Sequence, residues 1–150
     1  MWKNLLLAAL LIASLTPLTA AAYDLTMLKG TYVQFSDIGV PYVKKLILAQ
    51  GEHGKVKVSA VLSHMPNEQS VTAEAEAYIQ RDAKLMQDKR TGDRLLVTFT
   101  TPKFSNFMEI DTGRRAAGQE PDWATVNVRS FIKHADGHNE YFDEVLDRTE

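Results

Sequence analysis

His134, Asp136, His138 and Glu140 carry the side chains best suited to chemistry, within seven positions of one another. Imidazole and carboxylate are natural ligands of zinc and copper, and a turn at Asp136 and Gly137 would bring two of them together. A hairpin turn in water recruits the same residue types. The spacing therefore fits either a metal site at His134, Asp136 and His138 or a solvated turn. His53 and His64 stand apart in the sequence, although Met65 follows His64.

Other chemistry finds less support. Asp111, Thr112 and Gly113 have the residue order of the aspartic-protease triplet, but that chemistry needs two carboxylates sharing a proton and hence a second copy. Arg114 and Arg115 follow where a small residue is expected, so the triplet reads as a strand end entering a loop. The chain has no cysteine nucleophile, no Gly-x-Ser-x-Gly and no glycine loop for phosphate. Asp143, Glu144 and Asp147 read as a solvated face. The expectation is a protein without a cofactor that binds rather than catalyses.

Composition sets the class. Met1, Trp2 and Lys3 precede an apolar run and then alanines at positions 20–22, the pattern of a secretory signal peptide over 1–22. The run is shorter than a membrane-spanning helix needs. A periplasmic or secreted chain beginning near Tyr23 is expected, forming one domain over 23–150 with no integral membrane anchor. With 17 Lys and Arg against 19 Asp and Glu, no basic surplus exists to neutralise phosphates, which argues against a nucleic-acid partner. Without cysteine, the fold must rest on its apolar core.

Alternation predicts most of that fold. In 55–62, Val56, Val58, Ala60 and Leu62 fall on one side of an extended strand, opposite Lys55, Lys57 and Ser59. In 71–79, Val71, Ala73, Ala75, Ala77 and Ile79 oppose Thr72, Glu74, Glu76 and Tyr78. Further strands are expected at 28–35, 43–50, 94–100, 104–111 and 123–133, with a turn at Gly51 to Gly54 and a mobile loop over 112–122. Two segments are ambiguous. Residues 71–89 are rich in helix formers and would place Val71, Ala75, Tyr78, Ile79, Leu85 and Met86 on one helical face, with Asp82 among them. Residues 141–148 also admit a short helix, with Tyr141, Phe142, Val145 and Leu146 together.

An all-β antiparallel meander of about eight strands removes its exposed edges by closing into a barrel. The alternative is an α+β fold with a helix at 71–89. The order of motifs resembles the lipocalin and calycin barrels, particularly the small bacterial lipocalins. Gly30, Thr31 and Tyr32 stand where that family has Gly-x-Trp. Residues 75–78 and 96–99 look like its middle strands, and Leu146, Asp147, Arg148 and Thr149 like its closing strand. Tyr32 replaces the usual tryptophan, and no middle Thr-Asp-Tyr motif is evident. The resemblance implies that Arg148 packs over Tyr32 to close the barrel floor; a solvated terminal arginine is the other reading. It also implies a small apolar or amphipathic ligand inside. Ala73, Ala75 and Ala77 would leave room for it, and Leu95, Val97 and Phe99 would be walls. A different class of function is a protein-binding module, an inhibitor or envelope assembly factor, with Arg114, Arg115 and Trp123 as anchors on the 112–123 loop.

Overall fold

Strands form wherever apolar and polar side chains alternate, because alternate positions of an extended chain share a face. The computed structural model describes residues 26–34, 41–64, 69–85 and 90–150. The leader over 1–22, the breaks at Asp37 and Gly39, and the loop residues Met65, Pro66 and Asn67 lie outside the described residues. The strands are β1 (Gly30–Val33), β2 (Val43–Gln50), β3 (Val56–His64), β4 (Gln69–Lys84), β5 (Thr91–Thr100), β6 (Phe104–Arg115), β7 (Thr125–His134) and β8 (Asn139–Arg148). Each pairs antiparallel with the next, and β8 returns to β1, so the sheet is a closed eight-stranded meander barrel.

The interior takes one face of every alternation. Leu46 and Leu48, Val56, Val58, Ala60 and Leu62, Leu95, Val97 and Phe99, Met108 and Ile110, and Val126 and Val128 are all buried in one cluster. The outer face carries charge, including the cross-strand pairs Lys55 with Glu76 (2.7 Å) and Lys57 with Glu74 (2.8 Å). A wall dry inside and charged outside reverses the pattern of a lipid-embedded barrel.

Both ambiguous segments are strands. The helix considered over 71–89 is overturned through Lys84 by β4, which pairs with β3 from Gln69 to Ala77 and with β5 from Tyr78 onward. The helix formers yield because the alternating alanines meet the core only in the extended register, a tertiary override of propensity. Asp82 lies in a bulge at φ 49°, and its N–H donates to Asp93 Oδ1 (3.2 Å). Likewise 141–148 belongs to β8: Tyr141 and Val145 face outward while Glu144 and Leu146 are buried. The loop expected over 112–122 is shorter, since β6 continues to Arg115.

Closure rests on few positions. β1 pairs with β8 at Tyr32↔Arg148 and Val33↔Asp147, and Thr149 N–H donates to Thr31 O (2.8 Å). The Arg148 guanidinium donates to three backbone carbonyls, those of Met27 (2.9 Å), Lys29 (2.6 Å) and Glu150 (3.1 Å). Tyr32 is fully buried, and its hydroxyl donates to Leu28 O (2.9 Å). Nearer the other end, Glu144 on β8 accepts the N–H groups of Tyr42 (2.8 Å) and Val43 (3.0 Å), tying β8 directly to β2. The Tyr42 ring stacks on Phe142 at 4.7 Å and 7°.

Charged donors on carbonyls exceed neutral ones in strength, and a fork reaching three of them has no substitute in a single ammonium. Arg148→Ala should therefore cost about 2 kcal/mol in urea unfolding, with Arg148→Lys recovering only a minor part. Unchanged stability in Arg148→Ala would remove the guanidinium from the seam.

Candidate functional site

Three places gather functional side chains: the barrel interior, the outer wall of β6 to β8, and the β7–β8 hairpin. The residues expected to hold a small ligand lie on the inner faces of β4 and β5. Leu95, Val97 and Phe99 are 0%, 2% and 2% exposed, so these walls present almost no accessible surface. Ala77 is buried with them, while Ala73 and Ala75 are half-buried against the same cluster. Toward the end of the barrel that carries the β7–β8 hairpin, the interior turns polar. Asn106 Nδ2 donates to the Tyr42 hydroxyl (3.2 Å), and the buried Asn106 Oδ1 and Ser130 Oγ atoms have no hydrogen-bond partner among the described residues. Burial pushes the Tyr42 hydroxyl well above the usual tyrosine range.

Glu144 belongs to this polar end. Expected on a solvated face, it is instead buried, and desolvation raises its pKa above the ordinary glutamate value, against the opposing pull of the Val43 and Tyr42 N–H groups. No local pattern announces this, because its partners lie 101 and 102 positions away.

The outer wall of β6, β7 and β8 carries a feature that the alternation alone did not single out. Phe107 faces Phe131 across β6 and β7, and Phe131 faces Tyr141 across β7 and β8. The ring centroids are 6.2 and 5.0 Å apart, and the three residues are 38%, 44% and 53% exposed. The available signal was aromatic residues at polar-phase positions of two strands. Beside Phe131 and Tyr141 is a shallow concavity of about 360 Å³, also lined by Ile132, Lys133, Asn139 and Glu140.

One row further along, the same wall holds an ion network. Arg94 donates to both oxygens of Asp111 (2.7 and 3.2 Å), and Arg129 reaches Asp111 (2.8 Å) and Glu109 (3.0 Å). The side chains of Arg94, Asp111 and Arg129 are only 7–14% exposed although they point outward. The carboxylate of the Asp-Thr-Gly triplet is thus held by two guanidiniums, while Thr112 is buried. Its role there is structural.

The proposed anchors of the 112–123 loop are also engaged. Trp123 lies across Gly113, whose φ of +58° and missing Cβ admit the ring: a Cβ there would stand 2.7 Å from the indole. Arg114 donates to Thr125 Oγ1 (3.1 Å), and Arg115 pairs with Asp82 and donates to Gly113 O (3.2 Å). These residues fasten the loop to the barrel.

The β7–β8 hairpin does bring its histidines together. The ligand atoms of His134, His138 and Glu140 all lie within 4.8 Å of one another. Asp136 instead accepts from His138, with its Oδ1 2.6 Å from Nδ1 and 3.2 Å from the backbone nitrogen, and these bonds lower the Asp136 pKa.

Compared with known protein families, curated proteins and solved structures, the chain shows no significant match to any of the three.

The raised pKa of Glu144 has a defined sign. The fold favours the neutral acid, so this group's contribution to stability is fully present below its unfolded pKa and is lost as pH rises through the raised folded value. The stability of the native chain relative to Glu144→Gln, followed by urea unfolding between pH 4 and pH 7, should therefore decline with increasing pH. A constant difference across that interval would mean that Glu144 titrates as a solvated carboxylate.

Proposed function

We propose that the chain is an exported, lipocalin-like barrel, periplasmic or secreted, that acts by binding a protein partner through the outer wall of β6, β7 and β8. The observation that carries this reading is the aromatic ladder of Phe107, Phe131 and Tyr141. Three rings side by side on adjacent strands leave apolar surface in water without any packing gain inside the barrel. Aromatic side chains of this kind supply most of the energy of protein interfaces. Val145, also exposed, extends the apolar character along β8. The rings stand on paired strands of a closed sheet and are flanked by the Arg94, Asp111 and Arg129 network, so little backbone ordering is needed when a partner covers them. The lipocalin resemblance is supported by the closed eight-stranded meander and by the positions of Tyr32 and Arg148 at its seam; export is supported by the leader pattern.

Rings that anchor a partner lose about 1–2 kcal/mol each on truncation, roughly tenfold in affinity. Photo-crosslinking from position 131 in the native envelope should capture one discrete protein. Affinity for that protein should fall at least tenfold in both Phe131→Ser and Tyr141→Ser, with melting temperatures unchanged. No captured protein, or equal affinity in the variants, would refute the reading.

A second reading keeps a small amphipathic ligand, held at the polar end of the barrel. Asn106 Oδ1 and Ser130 Oγ favour it, because buried polar atoms seek a partner and a ligand's polar group supplies one. Native mass spectrometry of the protein isolated from its own host tests this: a bound small molecule, lost in Asn106→Leu, is the expected result. An adduct-free native chain would eliminate it.

A further inference from the structure

The β7–β8 hairpin gathers the donor set of a transition-metal site. Gly137, at φ +94°, lets its N–H donate back to His134 O (3.0 Å), while His134 N–H donates to His138 O (3.0 Å). This three-residue turn with a left-handed glycine makes His134 and His138 the last facing pair of the hairpin. Ile132 pairs with Glu140, so Glu140 sits diagonally below the two rings on the same face. The arrangement is enforced by backbone register rather than by long flexible side chains meeting in solution.

Side-chain contacts refine it. His134 is the anchored member, with its side chain 12% exposed, its ring 6.3 Å from Phe104 and its Nε2 2.6 Å from Glu140 Oε2. His138 is the exposed member and stacks on it at 3.9 Å. Because Asp136 engages His138 Nδ1, the Nε2 atom of that ring is the one left to ligate. A carboxylate behind an imidazole fixes its tautomer and raises its basicity, the usual outer-shell support of a metal-binding histidine.

We propose that His134, His138 and Glu140 bind one divalent transition ion of the zinc class, with Asp136 orienting His138. Two imidazoles and one carboxylate suit zinc or copper(II), whereas magnesium and calcium prefer oxygen-rich sites. Three protein ligands leave a fourth position for water or another donor. Donors within 4.8 Å need only a modest contraction to surround an ion with bonds of about 2.0–2.2 Å. An ion lies in the plane of each imidazole it binds, so binding opens the parallel stack, and the exposed His138 ring is the one free to turn.

The test uses the tag-free, chelator-treated chain, titrated calorimetrically with zinc chloride and, separately, with copper(II) and magnesium chloride. One equivalent of zinc should bind saturably, raise the melting temperature and shift the side-chain nitrogen resonances of two histidines; magnesium should do none of these. His138→Ala and Glu140→Gln should each weaken zinc binding at least tenfold, and Asp136→Asn about tenfold through the orienting bond. A stronger copper response with the same residue dependence would support the site, as expected from the affinity order of these ions. Absence of saturable zinc and copper binding, or binding unchanged in His138→Ala and Glu140→Gln, would overturn it and leave the cluster as a hairpin clasp. Circular dichroism of each variant separates lost binding from lost fold.

Discussion

The barrel depends on joining β8 back to the beginning of the chain. Seven of its eight junctions link consecutive strands, and the eighth must hold two edges that lie far apart along the chain. Among the described residues β1 supplies two paired positions to β8, and side chains add to the junction. At one end the Arg148 guanidinium gathers the carbonyls of Met27, Lys29 and Glu150, the last of which also accepts from Thr31 N–H. Toward the other, the Glu144 carboxylate takes two N–H groups of the opposite sign of need. A base and an acid thus engage backbone groups of both kinds at the same junction. The desolvation of Glu144 is the cost of that solution.

Much of the architecture is legible because alternation in sequence translates directly into two faces of a sheet. β3, β5, β6 and β7 all fall close to where alternation places them, and the apolar phase of each lies inside. The two ambiguous segments show where local information ends. Alanine and glutamate in β4 favour a helix by propensity, and only the facing registers of β3 and β5 decide otherwise. In β8, Tyr141, Phe142, Val145 and Leu146 fit a helical stripe as well as they fit a strand. There the rings Tyr141 and Phe142 part company, one joining the outer ladder and the other stacking on Tyr42.

Sites differ in legibility for the same reason. The histidine cluster is visible in sequence because a hairpin turn is local, and its geometry follows from a few consecutive residues. Glu144 is invisible because what it binds is distant backbone, and a carboxylate next to Asp143 has the appearance of surface. The aromatic ladder lies between these extremes. Each ring can be assigned outward from its own strand, but adjacency requires the registers of three strands. Outward charge such as that of Asp111 is similarly deceptive: flanking guanidiniums withdraw it from water without moving it to the core.

The distance spanned by the seam also sets an order of events. Every other junction can zip from a nearby turn, but Arg148 meets Lys29 across 119 positions. Closing a loop of that size costs about 2 kcal/mol more entropy than closing a ten-residue hairpin. That entropy term favours an order in which the meander assembles as an open, curled sheet and its two edges meet last. Until β8 pairs with it, β1 presents unpaired N–H and C=O groups on one side. That edge is a template for any other extended chain until the seam closes over it.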